Sequence, residues 1–124
     1  MRSWLLIAIV LAACSKDGPK GATSRDGVVA AWKKGGLEPS ALTAAKTDVG
    51  KDCASGTVNK IDVLVCTFAT DKEAMEAEDK GLAWVGDHTG ASKALGEMLI
   101  VVADRRKVDP SGRTLNQLIT LPAK

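Results

Sequence analysis

Aromatic side chains are scarce in this sequence of 124 residues, which has no tyrosine, one phenylalanine and three tryptophans. Since 45% of the residues are hydrophobic, the chain can build a core, but that core has to consist mainly of Val, Leu, Ile and Ala. The length corresponds to one domain. The formal net charge is only +2, so charge alone gives no indication of a nucleic-acid or acidic partner.

Sequence motifs for catalysis and metal binding are missing as well. The sequence has a single histidine, His88, and no HExxH, CxxC, GxSxG, SxxK or P-loop spacing. A metal site would need Asp87, Asp104 or Asp109 to converge on this histidine, whereas a solvated loop explains it more simply. We therefore predict no cofactor, no bound metal and no enzymatic activity.

Charge is concentrated in one short run, DRRK at 104–107, which follows an aliphatic stretch. The functional interpretation is contact with anionic headgroups, lipopolysaccharide or a cell-wall polymer. The simpler interpretation is a solvated strand end. The glycines of GDHTG at 86–90 would suit an anion cradle, but a plain turn explains them better. The candidate ligand contacts in these two segments are Asp87, His88, Arg105 and Arg106.

The first 13 residues have the pattern of a secretion signal. Arg2 is followed by an uninterrupted apolar run over residues 4–13. This run is too short to cross a bilayer core, which takes about 20 helical residues, and it has the length of the apolar region of a signal peptide. An ordinary cleaved signal peptide and an N-terminal membrane helix are the two alternatives.

The apolar run ends in LAAC at 11–14, which resembles the lipobox of bacterial prolipoproteins: an aliphatic residue, two small residues and a cysteine. The small residues leave room for a peptidase beside the cleaved bond. The resemblance implies cleavage before Cys14 and attachment of diacylglycerol to its thiol, and two or three acyl chains make a durable membrane anchor. It also implies a location in the cell envelope. Ser15, where an Asp would favour the inner membrane of enteric-type bacteria, favours the outer membrane facing the periplasm.

The resemblance divides the chain into a signal peptide at 1–13, the lipidated cysteine with a flexible tether at 14–23, and one domain at 24–124. The tether is polar and rich in Gly and Lys. The segments GLAWVGDHTG and LIVVADRRKVDPSGRTLNQL of the domain resemble small bacterial lipoproteins of uncharacterised function. This second resemblance implies no activity.

The domain carries signals for several helices and strands. One helix should start near Ser24 and end at Gly35, and a capping box at Thr70 should open another that ends at Gly86. Residues 37–46 favour a short helix, and an Asp-Pro pair at 109–110 favours the start of the last one. Strand-like runs lie at 53–58, 61–68 and 94–103.

The first two strand-like runs flank residues 59–60, where a two-residue turn would make a β-hairpin. Facing residue numbers then sum to 119, a sum that Cys53 and Cys66 satisfy. They would occupy a non-hydrogen-bonded site, where facing Cα atoms are about 4.5 Å apart. Because lipidation uses Cys14 and an exported chain meets an oxidising compartment, we predict a Cys53–Cys66 disulfide rather than two free buried thiols.

These elements predict the α+β class: a small three-stranded mixed sheet, made of a β-hairpin plus one strand after a helical crossover, packed with three or four helices. We expect the third strand to run parallel to the second, because the intervening helix returns the chain. The hairpin register also predicts one helix-covered core face, made of Ala54, Val58, Ile61, Val63 and Val65.

The predicted function is a membrane-anchored, non-enzymatic interaction or structural module of the cell envelope. Its partner would be an envelope protein or an anionic envelope polymer. The alternative is a lipoprotein that binds a small ligand or a metal ion through the His88 loop and the basic run of Arg105 and Arg106.

Overall fold

The fold is one antiparallel sheet with helices on both faces. The computed structural model describes residues 21–124, so the predictions for Cys14 and the signal peptide fall outside the described residues. In chain order the elements are α1 (Arg25–Lys34), β1 (Thr43–Ala45), β2 (Asp52–Val58), β3 (Ile61–Thr67), α2 (Asp71–Glu76), α3 (Glu78–Val85), β4 (Gly90–Leu95), β5 (Met98–Ala103) and α4 (Arg113–Thr120). The strand order is β1-β2-β3-β5-β4, and every neighbouring pair is antiparallel.

The predicted three-stranded mixed sheet is wrong, although the α+β class stands. Residues 94–103 are not one strand, because Gly96 and Glu97 form a tight turn in which Gly96 has a φ of +59°. The helices do return the chain, so β4 runs in the same direction as β3. It lies at the sheet edge, however, and β5 pairs with β3 in the antiparallel sense.

The short helix predicted over residues 37–46 is also wrong. This segment runs beside β2 as an extended edge, with Pro39 in an isolated bridge to Val58 and β1 paired further along. The Ser40 N–H donates to the Thr57 carbonyl at 2.7 Å. Backbone groups on the outer side of β2 need partners, and that demand overrides the weak helix propensity of the segment.

The β2–β3 hairpin is confirmed with its predicted register. Val58 faces Ile61, and Cys53 faces Cys66. Asn59 and Lys60 both take positive φ values, 50° and 70°, as a two-residue type I′ turn requires. A local turn therefore sets the alignment of the whole strand pair.

The sheet is buried on both faces, whereas we predicted one helix-covered face. Side chains of α1 and α4 pack on the predicted core face, in a cluster that contains Val28, Trp32, Leu37, Val58, Ile61, Val63, Val65, Met98, Ile100, Val102, Leu115 and Leu118. The α2–α3 segment covers the other face, in a cluster that contains Val49, Cys53, Leu64, Cys66, Ala77, Val85, Leu99, Val101 and Ala103. All six residues of β5 are consequently buried.

The predicted helix starts hold for α1 and α2. The Ser24 hydroxyl accepts a hydrogen bond from the Gly27 N–H at 3.0 Å, and the Thr70 hydroxyl accepts one from the Glu73 N–H at 3.1 Å. Each bond satisfies a backbone donor that the first helical turn leaves free. The helix after Thr70 is interrupted at Ala77, which separates α2 from α3.

The last helix starts later than predicted, at Arg113 instead of Pro110. The Asp109 carboxylate still serves the helix start, because its Oδ2 accepts the Leu115 N–H at 2.8 Å. Residues 109–112 form a turn before the helix, and the Asp109 side chain connects the start of that turn to the first turn of α4.

Helix α3 lies close to the edge strand β4. A Cβ on Gly81 would meet Val101 Cγ2 at 2.9 Å and would clash with the Ser92 side chain, so a glycine is needed for this approach. Glu78 Oε2 accepts the outward-facing Ala94 N–H at 2.8 Å. A carboxylate on a free edge donor hinders pairing with a further strand.

Candidate functional site

The sheet gives the domain two opposite ends. The first, called the disulfide end, holds the Cys53–Cys66 pair and the Gly96-Glu97 turn. The described chain enters here, because Thr23 lines a concavity with Glu97. The second, called the basic end, holds the Asn59-Lys60 turn and the run 104–107 that follows β5.

The first described residues lie against the last residues of the chain. The Ala22 N–H donates to the Pro122 carbonyl at 2.7 Å, which fixes the start of the described chain against its last residues. Helix α1 then carries the chain toward the basic end, where the Asn59 side-chain oxygen accepts the Glu38 N–H at 2.8 Å. The basic end therefore lies a full strand length from the point of entrance, about 23 Å for seven residues.

Asp62 organises the basic end, and our sequence interpretation missed it. Arg105 Nη1 lies 3.0 Å from Asp62 Oδ2, and Arg106 Nη1 lies 2.9 Å from Asp62 Oδ1. Arg106 Nη1 also donates to the Lys60 carbonyl at 2.9 Å. The available signal was the single carboxylate in the otherwise apolar run IDVLVCTF, since a charge in a buried strand requires a partner.

Arg105 joins the basic end to helix α3. Its Nη2 donates to the Trp84 carbonyl at 2.6 Å, and its guanidinium carbon lies 4.2 Å from the centre of the Trp84 ring. The carbonyl belongs to the last turn of α3, where cations are favoured and acceptors lack helical partners. The stacked geometry adds a cation–π interaction. Arg105 therefore acts as a structural link between β3 and α3.

The two arginines control the ionisation of Asp62. Its partial burial by itself raises the pKa of the carboxyl. Hydrogen bonds from Arg106 and Arg105, together with their positive charges, outweigh that effect and hold the pKa of Asp62 below its ordinary value of 3.8. Asp62 is thus a carboxylate over the neutral and mildly acidic range.

We expect this carboxylate to make stability depend on pH in acid. A lowered pKa in the folded state means that the stabilisation is fully present above the unfolded value of 3.8 and is lost as pH falls through the lower folded pKa. Urea unfolding of Asp62→Asn and of the unmodified protein should therefore differ most near neutral pH, and the difference should shrink below pH 3.8. A constant difference across that range would show that the charge of Asp62 contributes nothing.

The His88 loop does not share a site with Arg105 and Arg106. Asp87 and His88 are exposed and border a concavity of about 470 Å³ with Lys107, while Arg105 and Arg106 lie outside it, on Asp62. No group of three His, Cys, Asp or Glu side chains within residues 21–124 is placed to hold a metal ion. The structure thus separates the residues that the ligand-binding alternative would combine.

The two aspartates beside His88 are used by the loop itself. Asp104 is 4% exposed, and its two oxygens accept the N–H groups of Val108 and Asp109, both at 2.9 Å. Asp109 accepts the Leu115 N–H. Because these carboxylates already hold the backbone of 104–115, they do not converge on His88 as ligands.

The disulfide end has a charged clamp that the sequence did not predict. Asp52 accepts hydrogen bonds from the Thr67 hydroxyl and from Arg25, whose Nη2 lies 3.1 Å from Asp52 Oδ1. The hydrogen bond from Thr67, followed by the hydrogen bond and the positive charge of Arg25, holds the pKa of the Asp52 carboxyl below its usual value. Arg25 Nη1 also donates to the Asp52 carbonyl at 3.1 Å, so the start of α1 is tied to the hairpin.

A concavity of about 1070 Å³ opens at the same end, between the loop 46–52 and the helices α2 and α3. Its apolar part includes Val49 and Phe68. Charged residues of both signs line the concavity, so it has no preference for an anion or a cation. These residues are Lys46, Asp48, Lys51, Asp52, Glu73, Glu76 and Lys80.

The predicted pairing of Cys53 with Cys66 is present, with the two sulfurs at disulfide-bonding distance and the Cα atoms 4.0 Å apart. Both cysteines are buried, at 4% and 0% exposure. The Thr47 hydroxyl contacts the Cys53 sulfur at 3.6 Å, so the pair also supports the loop that borders the large concavity. The cysteine pair is therefore a buried structural element of the disulfide end.

Comparison with known proteins found no matching family model, no matching curated protein and no matching solved structure. Over residues 21–124, none of the helices has the length and apolar character needed to cross a membrane.

Proposed function

We propose that this chain is a bacterial envelope lipoprotein, anchored in a membrane by lipid on Cys14, with a non-enzymatic domain that binds another component of the envelope. The observation that carries the proposal is the motif LAAC at 11–14, placed directly after an uninterrupted apolar run of signal-peptide length. The non-enzymatic part rests on the missing catalytic spacings in the sequence.

Two features of the described domain support this proposal. Its paired cysteines suit an oxidising compartment, such as the periplasm. Its first described residues lie at the disulfide end, so an anchor at Cys14 would attach the domain by that end. Seven residues lie between Cys14 and Ala22, and the eight steps from one Cα atom to the other can span at most about 29 Å.

The test is metabolic labelling of the full-length protein with an alkyne-modified palmitate in a bacterial host, followed by mass spectrometry of the mature N-terminus. We expect a labelled chain that begins at Cys14, and complete loss of label in Cys14→Ala, because the thiol is the attachment point. Ser15→Ala is the matched control, since it changes the next residue and leaves the motif intact.

Detection of an unlabelled protein that retains Met1 would contradict the proposal, as would equal labelling of Cys14→Ala. Separation of the two membranes of an enteric-type host then tests the finer location. We expect the labelled protein in the outer membrane, and we expect Ser15→Asp to move it to the inner membrane.

A further inference from the structure

Arg106 presents a preformed anion-binding edge at the basic end. Its Nη1 is held between the Lys60 carbonyl and Asp62 Oδ1, both at 2.9 Å. Within residues 21–124 its Nε and Nη2 make no hydrogen bond, and its side chain is 52% exposed. These two nitrogens form the fork that binds carboxylate or phosphate in a bidentate manner. Asp62 therefore fixes the guanidinium while its binding edge faces solvent.

The surface around Arg106 has an excess of positive charge. Lys60 contacts it through its backbone carbonyl, and Arg105 and Lys107 are its neighbours in the chain; Asp62 is the carboxylate that pairs with Arg105 and Arg106. The charge of Asp104 does not offset them in the same way, because that side chain is buried and accepts two backbone N–H groups. Asp87 borders the concavity of about 470 Å³ together with Lys107. Lys60 is exposed in the two-residue turn between β2 and β3.

The shape and composition of this surface favour a polymer over a small ligand or a protein. Lys60 and Arg106 are both exposed and line neither of the two concavities of about 1070 and 470 Å³, whereas small-molecule sites bury most of the surface of their ligand. A protein interface needs an apolar centre. The exposed large hydrophobic side chains of residues 21–124 are Met75, Leu82 and Val108, three single side chains in α2, α3 and the loop after β5.

The point of attachment is consistent with this choice. If the chain is anchored through Cys14, the tether joins the domain at the disulfide end, and the basic end lies about 23 Å away at the opposite end of the sheet. We propose further that the basic end, through Arg106 and Lys60, binds an anionic polymer of the cell envelope. This inference rests on the proposed function, which supplies the compartment and the point of attachment.

The test uses the full-length lipidated protein in nonionic detergent and two fluorescent polyanions, polygalacturonate for carboxylate groups and polyphosphate for phosphate groups. Fluorescence anisotropy should show binding that weakens as salt is added, since exposed charges are screened. The double variant Lys60→Gln with Arg106→Gln should bind about tenfold more weakly, because it removes two charges and the fork. The polymer that binds more tightly identifies which anionic group is recognised.

The matched control is Lys46→Gln with Lys51→Gln, which makes the same change in charge at the disulfide end. It should alter affinity less than about twofold, an effect of net charge alone. Equal weakening by the two double variants would overturn the proposal, and so would the absence of binding at low salt. Binding to an acidic protein such as ovalbumin but to neither polymer would overturn it as well.

Two further measurements distinguish failure of this inference from misfolding of a variant and from failure of the proposed function. Lys60→Gln alone changes an exposed turn residue and should weaken binding without lowering thermal stability, so misfolding of the Arg106 variant cannot mimic the result. Palmitate labelling of the same preparations tests the anchor. A labelled protein that ignores both polymers refutes this inference alone, whereas an unlabelled protein that binds them refutes the proposed function alone.

Discussion

Replacing Trp32 with alanine is expected to lower the free energy of unfolding by about 4 kcal/mol, a large part of the stability of a small domain. Trp32 is completely buried in the cluster between α1, α4 and the sheet. Truncation to alanine removes apolar contacts and leaves a cavity, because the sheet that packs against Trp32 cannot move to fill it. The loss should therefore exceed the cost of most single substitutions.

The indole of Trp32 also satisfies a carbonyl that the end of α4 leaves without a partner. Trp32 Nε1 donates to the Leu118 carbonyl at 2.9 Å. In a continuing helix that carbonyl would accept the N–H of residue 122, but residue 122 is a proline and has none. Trp32 thus contributes a specific hydrogen bond in addition to its bulk.

Two variants separate these contributions in urea-unfolding measurements followed by circular dichroism. Trp32→Phe keeps most of the ring volume but leaves the Leu118 carbonyl without its donor, so we expect a loss of about 2 kcal/mol. Leu82→Ala is the control, because Leu82 is 52% exposed and its truncation should change stability by less than about 0.5 kcal/mol. If Trp32→Ala cost no more than Leu82→Ala, the packing described for α1 and α4 would be wrong.

Removing the disulfide is the second large expected effect. Cys53 and Cys66 are 13 positions apart, and closing a loop of this size stabilises a protein by about 3 kcal/mol in the chain-entropy model. The double variant Cys53→Ala with Cys66→Ala should lose that amount in denaturant unfolding. The native protein measured with a reductant, once it has been reduced in the unfolded state, should show a similar loss.

The reductant provides the internal control for the disulfide experiment. It should have no effect on the double alanine variant, which has no bond to break in the domain. The loop at 46–51 should also become more susceptible to proteolysis, because Thr47 contacts the Cys53 sulfur. Equal stability of the native protein with and without reductant, at complete reduction, would show that the pairing contributes nothing.

The parts of the fold that were predicted correctly depend on short-range sequence patterns. The turn at Asn59 and Lys60 sets the register of β2 and β3, so the facing of Cys53 and Cys66 follows from counting residues. The start of α1 depends on Ser24, which lies within one turn of the group that it caps. These features depend on residues that are close in sequence.

The errors arose where distant segments had to meet. The Gly96-Glu97 turn was hidden because its flanks, Leu95 and Met98, are apolar and continue the aliphatic run. The extended edge over 37–46 forms because β2 supplies unpaired backbone groups, a demand that residues 37–46 do not reveal.

The α+β class, the β2–β3 hairpin and its cysteine pair follow from the order of the residues, because turns, caps and side-chain alternation act over a few residues. The order of the five strands, the burial of both sheet faces and the pairing of Asp62 with Arg105 and Arg106 arise only in the folded domain. Those contacts join residues more than 40 positions apart. Their energies depend on burial and geometry, which exist only once the chain has folded.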